Sequence, residues 1–169
     1  MFVLGIDPGL TRMGFGLLRR HPSGSPIFEV ATAGVIETPP EDALEDRLGM
    51  ISVEIDSLLD EVRPDVVVVE RIFFQTNVRT AIPVAQASGI VIAAANRRGI
   101  EVAHLTANEV KLSVVGHGGA TKRQVQEMVA RLCGLAEAPS PADVADAMAL
   151  AACYLGTSNL KRAILEQVR

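Results

Sequence analysis

The stretch Asp65-Val66-Val67-Val68-Val69-Glu70 decides the fold, because four consecutive valines lie between two charged residues. A strand with one face in water alternates apolar and polar residues, whereas a strand of a parallel sheet is covered on both faces and is apolar throughout. The run therefore predicts a central strand at 65–70. A second short apolar run, 2–7, ends at Pro8-Gly9 and predicts a buried strand that is the parallel neighbour of the first.

The other elements follow from periodicity and turn residues on either side of these two strands. Apolar residues in 42–62 repeat with a helical period and leave a strongly acidic opposite face, which predicts an amphipathic helix. The order of elements predicts a single α/β domain with a mixed five-stranded sheet flanked by helices. The remaining predicted strands are 13–18, 27–38 and 101–105, and the remaining predicted helices are 79–98 (with Pro83 in its first turn), 107–115, 122–132 and 141–155.

The composition is that of a folded cytoplasmic protein. Of 169 residues, 49% are hydrophobic and two are cysteines, and no apolar run is long enough to cross a membrane. This excludes a disordered chain and a disulfide-rich scaffold. No secretory signal precedes the first strand, so we expect a cytoplasmic location. We expect one domain over 1–157 and a C-terminal tail over 158–169 that matches no motif and is poorly ordered.

The net charge of −4 argues against a nucleic-acid partner only when it is averaged over the chain. Residues 37–65 carry 10 acidic and 2 basic side chains, whereas residues 71–131 carry 8 basic and 3 acidic side chains. We therefore expect an acidic back, a basic front and a cleft of carboxylates that accepts an anionic partner once cations are bound.

Four carboxylates are candidates for chemistry, and each also has a simpler explanation. Asp7 can start a tight turn at Pro8-Gly9, and Glu70 can be a solvated strand end. If their strands are parallel neighbours, however, both carboxylates lie at the sheet edge where ligands gather. Asp143 suits a capping box after an N-cap Ser140 and a first-turn Pro141. Asp146 lies in an apolar helical run, so burial requires a cation from elsewhere in the fold or a metal.

The chemistry of this set favours divalent metal ions. Asp143 and Asp146 are three residues apart and share a helix face. Oxygen ligands without His or Cys suit Mg²⁺ or Mn²⁺. Two such ions, about 3.5–4 Å apart, activate a water and stabilise the leaving oxygen of a phosphodiester. The sequence therefore predicts that Asp7, Glu70, Asp143 and Asp146 are catalytic metal ligands if the fold brings them together.

Five motifs follow one another along the chain: Gly5-Ile-Asp-Pro-Gly-Leu10, Val69-Glu70 followed by Phe73, Val110-Lys-Leu-Ser-Val-Val-Gly116, Thr121-Lys-Arg-Gln-Val125 and Ala142-Asp-Val-Ala-Asp-Ala-Met-Ala149. In type and order they resemble the motifs of the bacterial RuvC Holliday-junction resolvases. The resemblance covers residues 1 to about 156, and the four carboxylates match the family's catalytic positions one by one. It implies a ribonuclease-H-like fold, a homodimer, Mg²⁺-dependent nicking of two symmetric strands of a four-way DNA junction, and a branch-migration complex of the RuvA and RuvB type as partner.

The resemblance also assigns DNA contacts. Lys111 and Lys122 match basic positions near the scissile phosphate, and Phe73 matches an aromatic that stacks on an unpaired base, with Phe74 as packing. Lys122 and Arg123 begin a predicted helix, where the helix dipole disfavours cations, which indicates a use such as phosphate contact. The alternatives are solvated surface charges for the cations and core packing for the phenylalanines.

The predicted helix 79–98 carries the dimer interface. Its middle is apolar nearly all the way round, so it is covered on two sides. One side faces the sheet and the other requires a partner, for which we expect a second copy of the chain.

Two alternative functions stay open from the sequence, and a third, an actin-like ATPase or sugar kinase, is disfavoured. That class opens with a similar Gly-Ile-Asp-x-Gly turn but needs two such domains and a second phosphate-binding turn, which the 169 residues do not contain. A related nuclease that acts on RNA shares the fold. A non-catalytic junction-binding module would keep the fold, although the loss of a carboxylate that would support it is not seen.

Overall fold

A five-stranded sheet covered by helices on both faces makes up the computed structural model. The model describes the backbone of residues 1–71 and 78–167 and the side chains of 1–71 and 81–157. The sheet order is β3-β2-β1-β4-β5. In chain order the elements are β1 (Phe2–Asp7), β2 (Arg12–Arg20), β3 (Phe28–Glu37), α1 (Leu44–Val62), β4 (Val66–Glu70), α2 (Val78–Arg97), β5 (Glu101–Leu105), α3 (Ala107–Val115), α4 (Lys122–Leu132) and α5 (Ala142–Gln167).

The valine strand lies in the middle of the sheet, as its composition predicts. β4 runs parallel to β1 on one side, with Gly5 opposite Val68, and parallel to β5 on the other. The four valines are at most 3% exposed. Val66 and Val68 pack in the core under α3, α4 and α5, whereas Val67 and Val69 pack in the core under α1 and α2. The strand is apolar on both faces because each face contacts a helical layer.

Glycines let α5 approach the sheet at backbone distance. A Cβ on Gly5 would overlap the backbone oxygen of Ala147, and a Cβ on Gly14 would overlap that of Asp143. Gly5 is in β1. Gly14 is in β2, where it pairs with Asp7 at the end of β1. The two glycines therefore fix the first half of α5 directly over the end of β1.

Three details of the helices differ from the predictions. Pro83 lies inside α2, beyond the first turn, because the helix begins at Val78. α5 begins at Ala142, so Pro141 precedes the helix and the predicted capping frame does not hold. α5 also continues to Gln167, well past the predicted end at 155, so most of the predicted tail has helical backbone. That this tail is poorly ordered stays a prediction.

Ion pairs link α1 to the C-terminal end of α2, and they involve two arginines of the predicted basic front. Arg98 contacts Asp56 at 2.6 Å and Asp60 at 2.7 Å, and Arg97 contacts Asp56 at 3.0 Å. Hydrogen bonds from Arg98 lower the pKa of both carboxyls. Arg97 and Arg98 thus neutralise the acidic helix beside them, and they do not contribute to the predicted basic front.

The helices in the described part of the chain are either too short or too polar to span a lipid bilayer.

The glycine contact between β1 and α5 gives a direct test of the packing. We expect Gly5→Ala to lower the free energy of unfolding by about 3 kcal/mol, because a new methyl group must displace a backbone that cannot move aside. Gly49→Ala in α1 is the matched control, because a Cβ there meets nothing within 4 Å. Alanine is a better helix former than glycine, so Gly49→Ala should raise the free energy of unfolding by up to about 1 kcal/mol. Urea denaturation of both variants measures the difference, and equal stabilities would contradict the packing.

Candidate active site

Two parallel strands bring Asp7 and Glu70 to the same edge of the sheet. Ile6 pairs with Val69 in the register of β1 and β4, so the last residue of each strand leaves the sheet at the same level. Asp146, on α5, completes one wall of a cleft of about 210 Å³. The cleft is lined by Asp7, Glu70, Asp146, Lys111 and Lys122 together with the apolar Ala107, Val110, Val125, Ala149 and Leu150.

Burial and mutual repulsion perturb the carboxylates of this cleft. Burial first, and then the charges of Asp146, Glu70 and Asp143, raise the pKa of Asp7 to about 7, against an opposing effect of Lys122. The pKa of Glu70 is also raised, first by burial and then by Asp146, while a hydrogen bond with Asp7 opposes the shift. Like charges held this close favour protonation unless a cation neutralises them.

Asp143 and Asp146 of α5 each have a cation of the protein beside them. Lys122 Nζ lies 3.3 Å from Asp146 Oδ2, and Arg12 Nε lies 3.2 Å from Asp143 Oδ2. The charge of Asp146 is the main cause of a raised pKa at Lys122. Asp146 therefore obtains its cation from another part of the fold, which is one of the two possibilities that its apolar surroundings predict.

Asp143 has an acceptor that the protein leaves unused. Its Oδ2 atom is buried and accepts no hydrogen bond from the described residues, because the approach of Arg12 is close but poorly directed. A buried carboxylate oxygen without a hydrogen bond is rare, and it suits a bound cation. The donor set of four carboxylates has the chemistry that Mg²⁺ requires.

The four carboxylates are close but not yet gathered around a single point. Among the described side chains, those of 1–71 and 81–157, no three from His, Cys, Asp or Glu already surround one ion position. Arg12 and Lys122 hold Asp143 and Asp146 toward themselves. An ion held by all four carboxylates would require the side chains of Asp143 and Asp146 to rotate toward the cleft. The side chains of Arg12 and Lys122 are exposed, so they can turn away to allow this rotation.

The predicted DNA contacts fall in three different places. Lys111, on α3, and Lys122, at the start of α4, line the cleft itself. Arg123 points to solvent outside it and contacts Glu127 one helical turn later at 2.8 Å. This ion pair is a second reason for a cation at that helix start. Phe73 and Phe74 lie outside the described residues.

Two arginines near the site were missed by the sequence reasoning. Arg12 contacts Asp143, and Arg47 is 8% exposed and donates hydrogen bonds to the hydroxyls of Thr11 and Thr38. A basic residue directly after the turn that follows Asp7 was an available signal for Arg12. Arg47 had a weaker signal, a lone arginine within the apolar stripe of an acidic helix.

Known proteins match the chain over nearly all its length. The family model of the crossover junction endodeoxyribonuclease RuvC matches residues 3–154. The protein of that description from Parafrankia sp. (strain EAN1pec) is 50% identical over 156 residues, which are 92% of this chain and 86% of that protein. The protein of that description from Saccharopolyspora erythraea is 51% identical over 155 residues, 92% of this chain and 77% of that protein.

Solved structures agree with the sequence relatives. The structure of Thermus thermophilus RuvC is 34% identical, covers 95% of this chain and 97% of that one, and superposes with a TM-score of 0.87. The structure of T. thermophilus RuvC in complex with Holliday junction substrate has the same identity, 95% and 96% coverage, and a TM-score of 0.88. These similarities confirm the expected α/β fold of the ribonuclease-H-like type with a mixed five-stranded sheet. The chain belongs to the crossover junction endodeoxyribonuclease RuvC family.

Proposed function

We propose that the protein is a structure-specific endonuclease that resolves four-way (Holliday) DNA junctions in recombination and repair. It nicks two symmetric strands as a dimer by divalent-metal-dependent hydrolysis. The observation that carries the proposal is the cleft in which Asp7, Glu70 and Asp146 meet, with burial and mutual repulsion raising the pKa of Asp7 to about 7. Such a cluster is a poor stabilising element for a fold, and it is a good ligand set for hard cations.

Asp7, Glu70, Asp143 and Asp146 hold Mg²⁺ in this proposal, with two ions per subunit, and Mn²⁺ fits the same ligands. When bound, the ions supply an activated water and stabilise the leaving oxygen of the scissile phosphodiester. Asp7 and Glu70 are fixed by adjacent strands, so they orient that centre against the sheet edge. Asp143 and Asp146, on one face of α5, close it from the other side.

Lys111 and Lys122 hold the phosphate backbone at the mouth of the cleft. Both line the cavity that contains the carboxylates, so a phosphodiester beside the metal centre is within their reach. Lys122 contacts Asp146 in this structure, and with that carboxylate neutralised its ammonium group would be available to a phosphate of the DNA. Arg123 is a more distant contact to the backbone, and Phe73 stacks on an unpaired base at the junction.

The outer face of α2 supports the proposed homodimer through 79–98. Ala87, Val91, Ala94 and Ala95 are buried against the rest of the chain. On the opposite side, Ile82, Gln86, Gly89 and Ala93 are exposed and are spaced four, three and four residues apart, which makes one stripe along the helix. The stripe is nearly free of charge, which suits a second copy of α2.

Further partners and the location follow from the family rather than from contacts in the chain. We propose a bacterial cytoplasmic location and cooperation with a branch-migration complex of the RuvA and RuvB type. An RNA-directed nuclease and a non-catalytic junction-binding module are the alternative functions. The first is tested by the choice of substrate and the second by the need for Asp7.

Junction cleavage is the first test. With Mg²⁺ and a synthetic four-way junction, we expect paired nicks at symmetric positions. Asp7→Asn should slow nicking by about a thousandfold or more while junction binding is retained, because one ligand of the metal centre is lost. A gel assay of labelled strands measures both products, and Glu137→Gln, which removes an exposed carboxyl outside the cleft, should cut normally.

Three outcomes would contradict the junction-specific reading. Efficient cutting of a linear duplex would remove the structural specificity, and ATP hydrolysis without DNA would favour an ATPase. Cleavage of an RNA-containing duplex in preference to the junction would favour the RNA-directed alternative.

The raised pKa of Asp7 predicts a pH-dependent stability. Its ordinary value is 3.8 and its folded value is about 7, so the folded state binds more protons than the unfolded state between these limits. The free energy of unfolding in EDTA should therefore fall as pH rises from 4 to 7. Asp7→Asn escapes this loss, and it should be more stable than the wild type by about 2 kcal/mol at pH 8 but not at pH 4.

Urea denaturation at the two pH values measures this difference. Glu41→Gln removes an exposed carboxyl, and its stability relative to the wild type should not change with pH in this way. Added Mg²⁺ should close the gap between the wild type and Asp7→Asn at pH 8, because the ion neutralises the cleft. An Asp7→Asn advantage that is the same at both pH values would contradict the prediction.

The dimer is tested by charging the exposed stripe of α2. We expect Ala93→Glu to give a monomer in sedimentation at micromolar concentration, since each copy would then place an unpaired carboxylate in the uncharged interface. Ile27→Glu is the control, because Ile27 is 42% exposed on a distant loop. A wild-type monomer would contradict the proposed homodimer, and an undisturbed dimer of Ala93→Glu would place the interface elsewhere.

A further inference from the structure

Arg12 and Lys122 occupy equivalent positions on two sides of α5. Lys122 neutralises Asp146 from α4, and Arg12 neutralises Asp143 from the first residue of β2. Lys122 has a part in the proposed function as a contact to DNA. Arg12 has none, although its guanidinium is as close to a proposed metal ligand as any cation in the described structure.

The contact of Arg12 is electrostatic rather than a directed hydrogen bond. Nε is 3.2 Å from Asp143 Oδ2, yet this buried oxygen accepts no hydrogen bond from the described residues. A guanidinium normally binds a carboxylate through two parallel hydrogen bonds. The pair thus offsets the charge of Asp143 while its lone pairs stay available to another cation.

The backbone of Arg12 is held firmly, whereas its side chain is free to turn. The buried Arg47 donates to Thr11 Oγ1 at 2.7 Å and to Thr38 Oγ1 at 2.9 Å, and Thr38 donates to the Leu10 oxygen at 2.6 Å. This network anchors the residues directly before Arg12. The Arg12 side chain itself is 52% exposed, so it can leave Asp143 for solvent without a movement of the backbone.

We propose that Arg12 is a positioning residue for the metal site: its guanidinium holds Asp143 beside the cleft in the metal-free enzyme and competes with divalent ions for that carboxylate. The ion must displace Arg12 to use Asp143. Arg12 thereby raises the divalent concentration at which the site fills, and it prevents the carboxylate cluster from repelling itself apart before filling. The inference rests on the proposed metal site of Asp7, Glu70, Asp143 and Asp146.

Mn²⁺ binding to the full chain without DNA tests the competition. Free Mn²⁺ is measured by electron paramagnetic resonance during a titration at low salt. We expect Arg12→Gln to bind Mn²⁺ roughly tenfold more tightly than the wild type, because a positive charge near the ion is removed. Arg12→Lys keeps the charge and should stay close to the wild type, which separates competition from a general packing defect.

Arg19→Gln is the matched control on the same strand. Arg19 pairs with Glu29 near the other end of β2, about 23 Å from Arg12 at the rise of a strand, so its loss should leave the Mn²⁺ affinity unchanged. A second readout is thermal unfolding. Saturating Mn²⁺ should raise the melting temperature of Arg12→Gln by about 4 °C more than that of the wild type.

The outcomes separate this inference from the proposed function. Mn²⁺ bound by wild type and Arg12→Gln with equal affinity, or more weakly by Arg12→Gln, would overturn the role of Arg12 and leave the metal site intact. No binding of Mn²⁺ by either protein would contradict the metal site and, with it, the role of Arg12.

Discussion

Backbone contact between α5 and the first two strands is the constraint on which the site depends. Because Gly5 and Gly14 carry no side chain, the helix lies close enough to place Asp143 and Asp146 over the end of β1. Side chains at these two positions would hold the helix farther from the sheet and move its carboxylates away from Asp7 and Glu70. The glycines thus have a structural role and a functional one, and the cost of the arrangement is a group of like charges in a partly buried cleft.

The protein manages this repulsion with cations of its own. Lys122 and Arg12 each contact one carboxylate of α5, and the pKa of Asp7 still rises to about 7. Arg97 and Arg98 likewise offset negative charge on α1, where they contact Asp56 and Asp60. The net charge of −4 therefore describes neither surface, since acidic and basic segments are paired locally and the cleft keeps an excess of negative charge. In the proposed function, divalent ions neutralise this excess negative charge. The cleft can then accept a phosphodiester.

Much of the fold could be predicted because its signals are local. The valine run fixed the central strand and its parallel neighbour, and with them the edge shared by Asp7 and Glu70. The apolar run around Asp146 predicted either a cation from elsewhere in the fold or a metal, and Lys122 provides the first of these. The contacts of Arg12 and Arg47 could not be predicted, because they join residues that are far apart in sequence and leave no periodic pattern. Pro83 is the sixth residue of α2, so it lies beyond the first turn even though the helix starts at Val78, within one residue of the predicted start. The predicted end of α5, at 155, is twelve residues before the observed end at Gln167.

The central claim is that the four carboxylates form one divalent metal centre, and anomalous diffraction from crystals grown with Mn²⁺ tests it most directly. The account predicts two anomalous peaks about 3.5–4 Å apart in the cleft, with oxygens of Asp7, Glu70, Asp143 and Asp146 as ligands and the Arg12 side chain turned away. Crystals soaked in saturating Mn²⁺ that show no peak between these residues, with both ion pairs of α5 intact, would contradict it.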